Sequence, residues 1–234
     1  MKKTTLLLVC LLVSHIIISQ NSSSDEIADS YHGSSVSCIS EKQYVEIQQL
    51  AEENIVKFGI KNNIQYKSSV VDGLDWPLRK AEGFNDCSYY IVTNFVDQDK
   101  TSGVKDYNCG TRTYNGHRGT DITLWPYPQY KQEQKQVEVI AAKTGVIVNK
   151  ADGFFDQKCV GSDGSGGGNY VMLQHSDGSR TLYYHMKKNS ITTKAIGATI
   201  QKGEYLGTVA SSGSSGTPHL HFEVWADNKA TLVD

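Results

Sequence analysis

A chain of 234 residues has room for one domain of moderate size with appendages. Its formal net charge of −2, with no clustered basic stretch, argues against nucleic acid as a partner. With 21 glycines, 13 tyrosines and 38% hydrophobic residues, the composition suits a loop-rich β protein better than a helical one.

Lys2 and Lys3 precede an apolar run from Leu6 to Ile18, and Ser19, Gln20, Asn21 and Ser22 follow it. This order reads as a secretory signal peptide over residues 1–19, too short for a membrane span and matched by no later apolar stretch. Cys10 lies inside the run, too early for a lipoprotein cleavage site. Without Lys2 and Lys3 the chain keeps 21 basic residues against 25 acidic ones, a net charge near −4. The expectation is an exported monomer, periplasmic or extracellular, without stable membrane insertion. Cys38, Cys87, Cys109 and Cys159 remain, and an even number in an oxidising compartment predicts two disulfides, with three connectivities open.

Residues 20–39 are rich in Ser, Asp and Asn and form a lead-in. Ser40 and Gln43 then make a capping box, and Tyr44, Ile47, Leu50, Ala51, Ile55 and Phe58 recur at helical spacing until Gly59. One amphipathic helix of about five turns is predicted, with no side chain that suggests chemistry. Residues 20–72 therefore read as a lead-in and helical segment, a candidate pro-segment. After Trp76-Pro77-Leu78 the texture changes to short apolar runs between turn residues: 137–140, 145–148, 170–173, 181–184, 206–210 and 220–224. This spacing predicts an all-β antiparallel sheet sandwich over residues 73–234, preceded by the one helix. The glycine-rich run 161–168 lacks the Gly-Lys-Ser/Thr ending of a phosphate loop and reads as a loop.

Of seven histidines, His15 lies in the signal peptide and His32 in the lead-in. In the strand 217–224, His219, His221 and Glu223 share one face while Leu220, Phe222 and Val224 share the other, so one face is a core and the other a site. His117 and Asp121 lie at i and i+4 of a segment bent at Gly119, and His185 follows the strand 181–184 as an outward-facing residue at its end. An imidazole and a carboxylate suit zinc, and one more histidine completes three ligands with a fourth position left for water. Water there ionises near pH 7. His175, in the turn Gln174-His175-Ser176-Asp177-Gly178, reads as structural.

The ordered series His117-x-x-x-Asp121, Tyr183-x-His185 and Pro218-His-Leu-His-Phe-Glu-Val224 resembles the lysostaphin/LytM-type zinc endopeptidases, which include the β-lytic peptidases. The likeness extends to Gly145-Val-Ile-Val, Gly168-Asn-Tyr-Val and Ser212-Gly213 and covers about residues 76–224. It implies one Zn²⁺ held by His117, Asp121 and His221, with His185 and His219 as catalytic histidines that activate water and stabilise the tetrahedral intermediate. Glu223 is a candidate acceptor for a ligand imidazole, with a surface salt bridge as the alternative. Met186 stands where Leu is usual, Gly216-Thr217-Pro218 replaces Thr-Gly-Pro, and Tyr114 is a candidate for a tyrosine that some members place elsewhere. The implied activity is peptide-bond hydrolysis in peptidoglycan stem peptides or cross-bridges. The alternatives are an extracellular protease for glycine-rich proteins and a zinc-free wall-binding or hydrolase-activating domain.

Overall fold

The computed structural model describes residues 38–60, 73–157, 167–226 and 232–233. The signal peptide, most of the lead-in, Cys159 and most of the 161–168 loop lie outside the described residues. The architecture is an antiparallel β-sandwich with a helix laid on its outer face. A small sheet in the order β1-β4-β9 comprises β1 (Leu78–Lys80), β4 (Val137–Ile140) and β9 (Tyr205–Thr208). The large sheet runs β2-β3-β10-β7-β6-β5-β8 through Tyr90–Asn94, Thr120–Leu124, His219–Trp225, Arg180–Met186, Asn169–Gln174, Gly145–Ala151 and Thr199–Ile200. β11 (Leu232–Val233) pairs with the far half of β10, beyond the stretch that pairs with β3.

Between the sheets lies one apolar core. Val137, Val139 and Leu206 of the small sheet meet Ile122, Leu124, Ile147, Val171, Leu173, Tyr183 and Leu220 of the large one. Strand alternation produces this, since every second residue of a half-buried strand faces the partner sheet. The phenol of Tyr183 is buried there and satisfied by the Ala142 N–H at 2.9 Å.

The opposite face of the large sheet carries a second cluster, built with α1 (Glu41–Lys57). Ser40 caps this helix as predicted: its Oγ accepts from the Gln43 N–H, and its own N–H donates to the Gln43 Oε1. Tyr44, Ile47, Ala51 and Ile55 are buried against Val148, Tyr170, Met172, Leu182, Tyr184 and Trp225. At about 1.5–3 kcal/mol for a large apolar side chain, this stripe is what docks the helix. Leu50 and Phe58 are about half exposed because only the narrow 44-47-51-55 stripe faces the sheet. Polar contacts fix the register: Asn54 Nδ2 donates to Val148 O at 3.0 Å, Asn149 Nδ2 to Ile47 O at 3.0 Å, and buried Arg180 to Glu52 at 2.7 Å.

All six predicted strands are present. β1, β2, β3, β8, β11 and a short helix α2 (Pro128–Glu133) are not among the predicted elements, because their runs are short or mix polar with apolar residues. The disulfide prediction is corrected: Cys38, Cys87 and Cys109 are free thiols, with Cys87 and Cys109 exposed. Cys38 faces Tyr114, 2.7 Å from its hydroxyl, rather than another cysteine.

Candidate metal and catalytic site

β10 runs through the middle of the site. In its ladders His221 sits opposite Asp121 of β3 on one side and Tyr184 of β7 on the other, while Asn94 of β2 sits opposite Asp121. Directly opposed residues of antiparallel strands share a face, so Asn94, Asp121, His221 and Tyr184 form a row across four strands. His117 enters from the turn before β3. Gly119 lets it do so: a side chain there would come within 2.7 Å of Phe222 O and 2.9 Å of the His221 ring. The bend expected at that glycine is thus a requirement for close approach.

His117 Nε2 lies 3.2 Å from His221 Nδ1 and 3.2 Å from Asp121 Oδ1, and His221 Nδ1 lies 2.8 Å from the same carboxylate oxygen. Each of these groups is oriented from behind. His117 Nδ1 is 2.7 Å from Phe95 O, which sets Nδ1 as the protonated nitrogen and turns the Nε2 lone pair inward. His221 Nε2 is 2.8 Å from Glu223 Oε1, so its Nδ1 is the inward nitrogen. Asn94 Nδ2 donates to Asp121 Oδ2 at 3.0 Å. Glu223 is wholly buried, which rules out the surface salt bridge; it also accepts from Tyr44 at 2.5 Å and Trp225 at 2.6 Å.

His185 and His219 face this trio with ring centroids 4.5 Å apart. His185 Nδ1 is 2.6 Å from Ser212 O and His219 Nδ1 is 2.8 Å from Thr217 O, while Nε2 of each is buried without a hydrogen-bond partner. His219 Nε2 stands 3.5 Å from Asp121 Oδ1, at ion-pair range. Contrary to the outward-facing expectation, His185 lies inside β7 and is fully buried. Its φ of 68° puts it in the left-handed region, so its ring departs from simple alternation along the strand.

The scaffold motifs converge on His185. Ser212 presents its carbonyl to the imidazole, its Oγ accepts from Asn169 N at 2.9 Å, and that Oγ donates to Met186 O at 2.8 Å. At Gly168 a side chain would strike the Tyr184 ring at 2.4 Å. The altered Gly216-Thr217-Pro218 turn still supplies the Thr217 carbonyl to His219. His175 lies apart from the site, its ring nitrogens held by Thr144 O at 2.9 Å and Thr181 Oγ1 at 3.0 Å.

Burial dominates the electrostatics, and neighbours decide the outcome. Burial pushes the Asp121 carboxyl up, but the charges of His117 and His219 with hydrogen bonds from His117 and His221 hold it well below its usual range. Burial depresses His221, yet hydrogen bonds to Asp121, Cys38 and Glu223 carry it well above an ordinary histidine. His185 is lowered by burial and by its neighbour His219.

Two residues in the site were not assigned to it from sequence. Cys38 offers Sγ to both halves: the donor atoms of Cys38, His117, Asp121 and His221 lie within 4.8 Å of one another, as do those of Cys38, His185 and His219. Tyr44, read as an apolar helix position, reaches Glu223. The Tyr114 ring lies beside that of His117, 4.3 Å between centroids and tilted by 31°. The donor set of two imidazoles and a carboxylate, each inward atom freed by a partner at its back, fits zinc.

A family model for peptidase family M23 matches residues 115–232, and the chain belongs to that family. Over 96 residues, 41% of this chain and 19% of the relative, it is 31% identical to an uncharacterised metalloprotease of Haemophilus influenzae. It is 36% identical over 113 residues, 48% of this chain and 21% of the relative, to the peptidoglycan DD-endopeptidase ShyC of Vibrio cholerae. With the DD-carboxypeptidase/endopeptidase Mpg of Neisseria meningitidis it shares 45% over 58 residues, 25% of this chain and 13% of that protein. The chain spans about a fifth or less of the length of these curated relatives. Among solved structures, a zinc-containing peptidase from Vibrio cholerae aligns at 23% identity with a TM-score of 0.42, over 64% of this chain and 36% of that one.

Proposed function

We propose that the chain is an exported zinc metalloendopeptidase that hydrolyses peptide bonds in peptidoglycan stem peptides or cross-bridges. In this reading residues 73–234 form the catalytic domain, residues 1–19 direct export, and the mature protein acts outside the cytoplasm. Among the described residues no helix is long and apolar enough to cross a membrane. The observation that carries the reading is the opposition of two buried groups: an inward-turned His117/Asp121/His221 trio and a His185/His219 pair whose Nε2 atoms have no hydrogen-bond partner. The substrate is inferred from relatives named for peptidoglycan cleavage, such as the Vibrio cholerae DD-endopeptidase.

His117 through Nε2, Asp121 through its carboxylate and His221 through Nδ1 would hold the metal. Zinc supplies the Lewis acidity that polarises a scissile carbonyl and lets water ionise near neutral pH. Glu223 keeps His221 in the ligating tautomer by taking its Nε2 proton in a hydrogen bond. His185 and His219, anchored at Nδ1, leave Nε2 to take a proton from attacking water, to steady the carbonyl oxygen and to return a proton to the leaving amine.

The test measures metal content and muropeptide products together. We expect one zinc per chain, its loss in His221→Ala, and its retention in His219→Ala with turnover down about 10²-fold or more. Zinc retained in His221→Ala, or full turnover in His219→Ala, overturns the site roles. Cleavage of glycine-rich proteins without release of wall peptides overturns the substrate.

A further inference from the structure

We infer that Cys38 is a fourth metal ligand, and that the segment carrying it, through α1, holds the peptidase in a closed, latent form. The inference rests on the metal reading above and adds a residue from outside the catalytic domain. Its thiol sulfur lies with the donor atoms of His117, Asp121 and His221, all within 4.8 Å of one another. It lies equally with those of His185 and His219, so it stands between the two halves of the site. The Nε2 atoms of those two histidines are buried, have no hydrogen-bond partner and are part of the same cluster. Three protein ligands would leave zinc a position open for chemistry; a thiolate as a fourth protein ligand would fill it, as in structural sites. Sulfur there also occupies the volume that water and a scissile carbonyl need.

The thiol is not delivered by a loose tail. Ile39, the next residue, is fully buried, and Ser40 caps α1 immediately after it. α1 is anchored at both ends over the site face: Tyr44 donates to Glu223, the residue that orients His221, and Glu52 pairs with buried Arg180 at 2.7 Å. The Arg118 guanidinium, next to His117 in the chain, stacks on the Tyr44 ring at 3.9 Å. Tyr114 holds the sulfur from the side at 2.7 Å. The N-terminal segment therefore touches the trio both at the donor atoms and from behind, through Glu223.

The test uses the full chain stripped of metal and reloaded with cobalt(II). The parent protein is expected to bind one cobalt and to show near-ultraviolet sulfur-to-cobalt charge-transfer absorption, which Cys38→Ala and Cys38→Ser lose while still binding one cobalt. Zinc-loaded Cys38→Ala is expected to hydrolyse peptide about tenfold faster or more, as the open fraction rises. In the parent, iodoacetamide labelling of Cys38, read by peptide mass, should be suppressed by zinc and restored by a chelator. Cobalt bound by the parent without the absorption, or the absorption persisting in Cys38→Ala, overturns the inference and leaves the metal trio intact. Failure of every form to bind cobalt overturns the metal reading itself.

Discussion

On the face of the large sheet turned towards the small one, Ile122, Tyr183 and Leu220 need mainly to fill space. On the other face, Asp121, His221 and Glu223 are equally buried but must each find a partner. β10 serves both at once, with Leu220 under one side and His219 and His221 on the other. The difference lies in what burial demands: apolar groups tolerate approximate packing, whereas buried polar groups cost heavily unless every donor and acceptor is met. The site face therefore carries a connected network, from Asn94 through Asp121, His221 and Glu223 to Tyr44 and Trp225. Five buried side-chain atoms of the described residues lack a hydrogen-bond partner, and two of them, His185 Nε2 and His219 Nε2, belong to the histidine pair that faces this network.

The two faces separate most sharply in Leu220→Ala. Leu220 is fully buried between the sheets, so the truncation should cost about 2–5 kcal/mol in denaturant unfolding. Zinc stoichiometry should stay unchanged, since the side chain points away from the proposed ligands His117, Asp121 and His221. Loss of metal in step with stability would show that the two faces are not separable.

His175 sharpens the contrast from within the histidines. It is as buried as His219, but both its nitrogens are satisfied, and burial above all lowers its pKa to about 4. An unfolded chain takes up this proton near pH 6.5, whereas the folded chain resists until about pH 4. Stability from His175 is thus fully present above about pH 6.5 and falls as pH drops through that window, by about 3 kcal/mol in all. Unfolding of the parent and of His175→Gln at pH about 7 and about 4.5 should show a smaller loss in the variant. Equal losses would mean that His175 is not held neutral.

What was legible in the sequence follows the same division. Alternation in 219–224 separates core from site on its own, and Ser40 with Gln43 marks the helix start, because both signals are local. The trio and the histidine pair came from the ordered motif series, and the structure brings all five positions together. Cys38 was not legible. Its neighbours in space are His117, Asp121, His221 and Tyr114, about eighty residues or more away, and its even-numbered company suggested disulfides instead. Tyr44 was hidden by its apolar helical spacing, since its ring belongs to the stripe while only its hydroxyl reaches Glu223. The burial of His185 depends on a left-handed backbone that no period reveals.

Glu223→Gln tests whether the carboxylate tunes the metal or merely completes the network. A carboxylate accepts from His221, Tyr44 and Trp225 together. An amide has one oxygen for three donors, so the imidazole loses its ionised partner. Zinc affinity, by competition with a chelating dye, should fall about 10–100-fold. Unchanged affinity would make Glu223 a packing residue.

The smallest expected effect falls on Ser40, which is exposed and reaches the site only through α1. Its cap satisfies backbone groups at the helix start, and Ser40→Ala should cost about 1 kcal/mol. A single helix of about five turns with a polar outer face owes most of its stability to packing, so its folding and docking form one equilibrium and the loss is felt by the docked state. A shift of about 1 kcal/mol is roughly fivefold in the undocked fraction. Iodoacetamide labelling of Cys38 in the metal-free chain should therefore quicken about fivefold in Ser40→Ala, with global unfolding of the sandwich unchanged. An unchanged labelling rate would mean that contacts near Cys38 itself, such as Tyr114 and buried Ile39, hold the thiol in place without help from the helix.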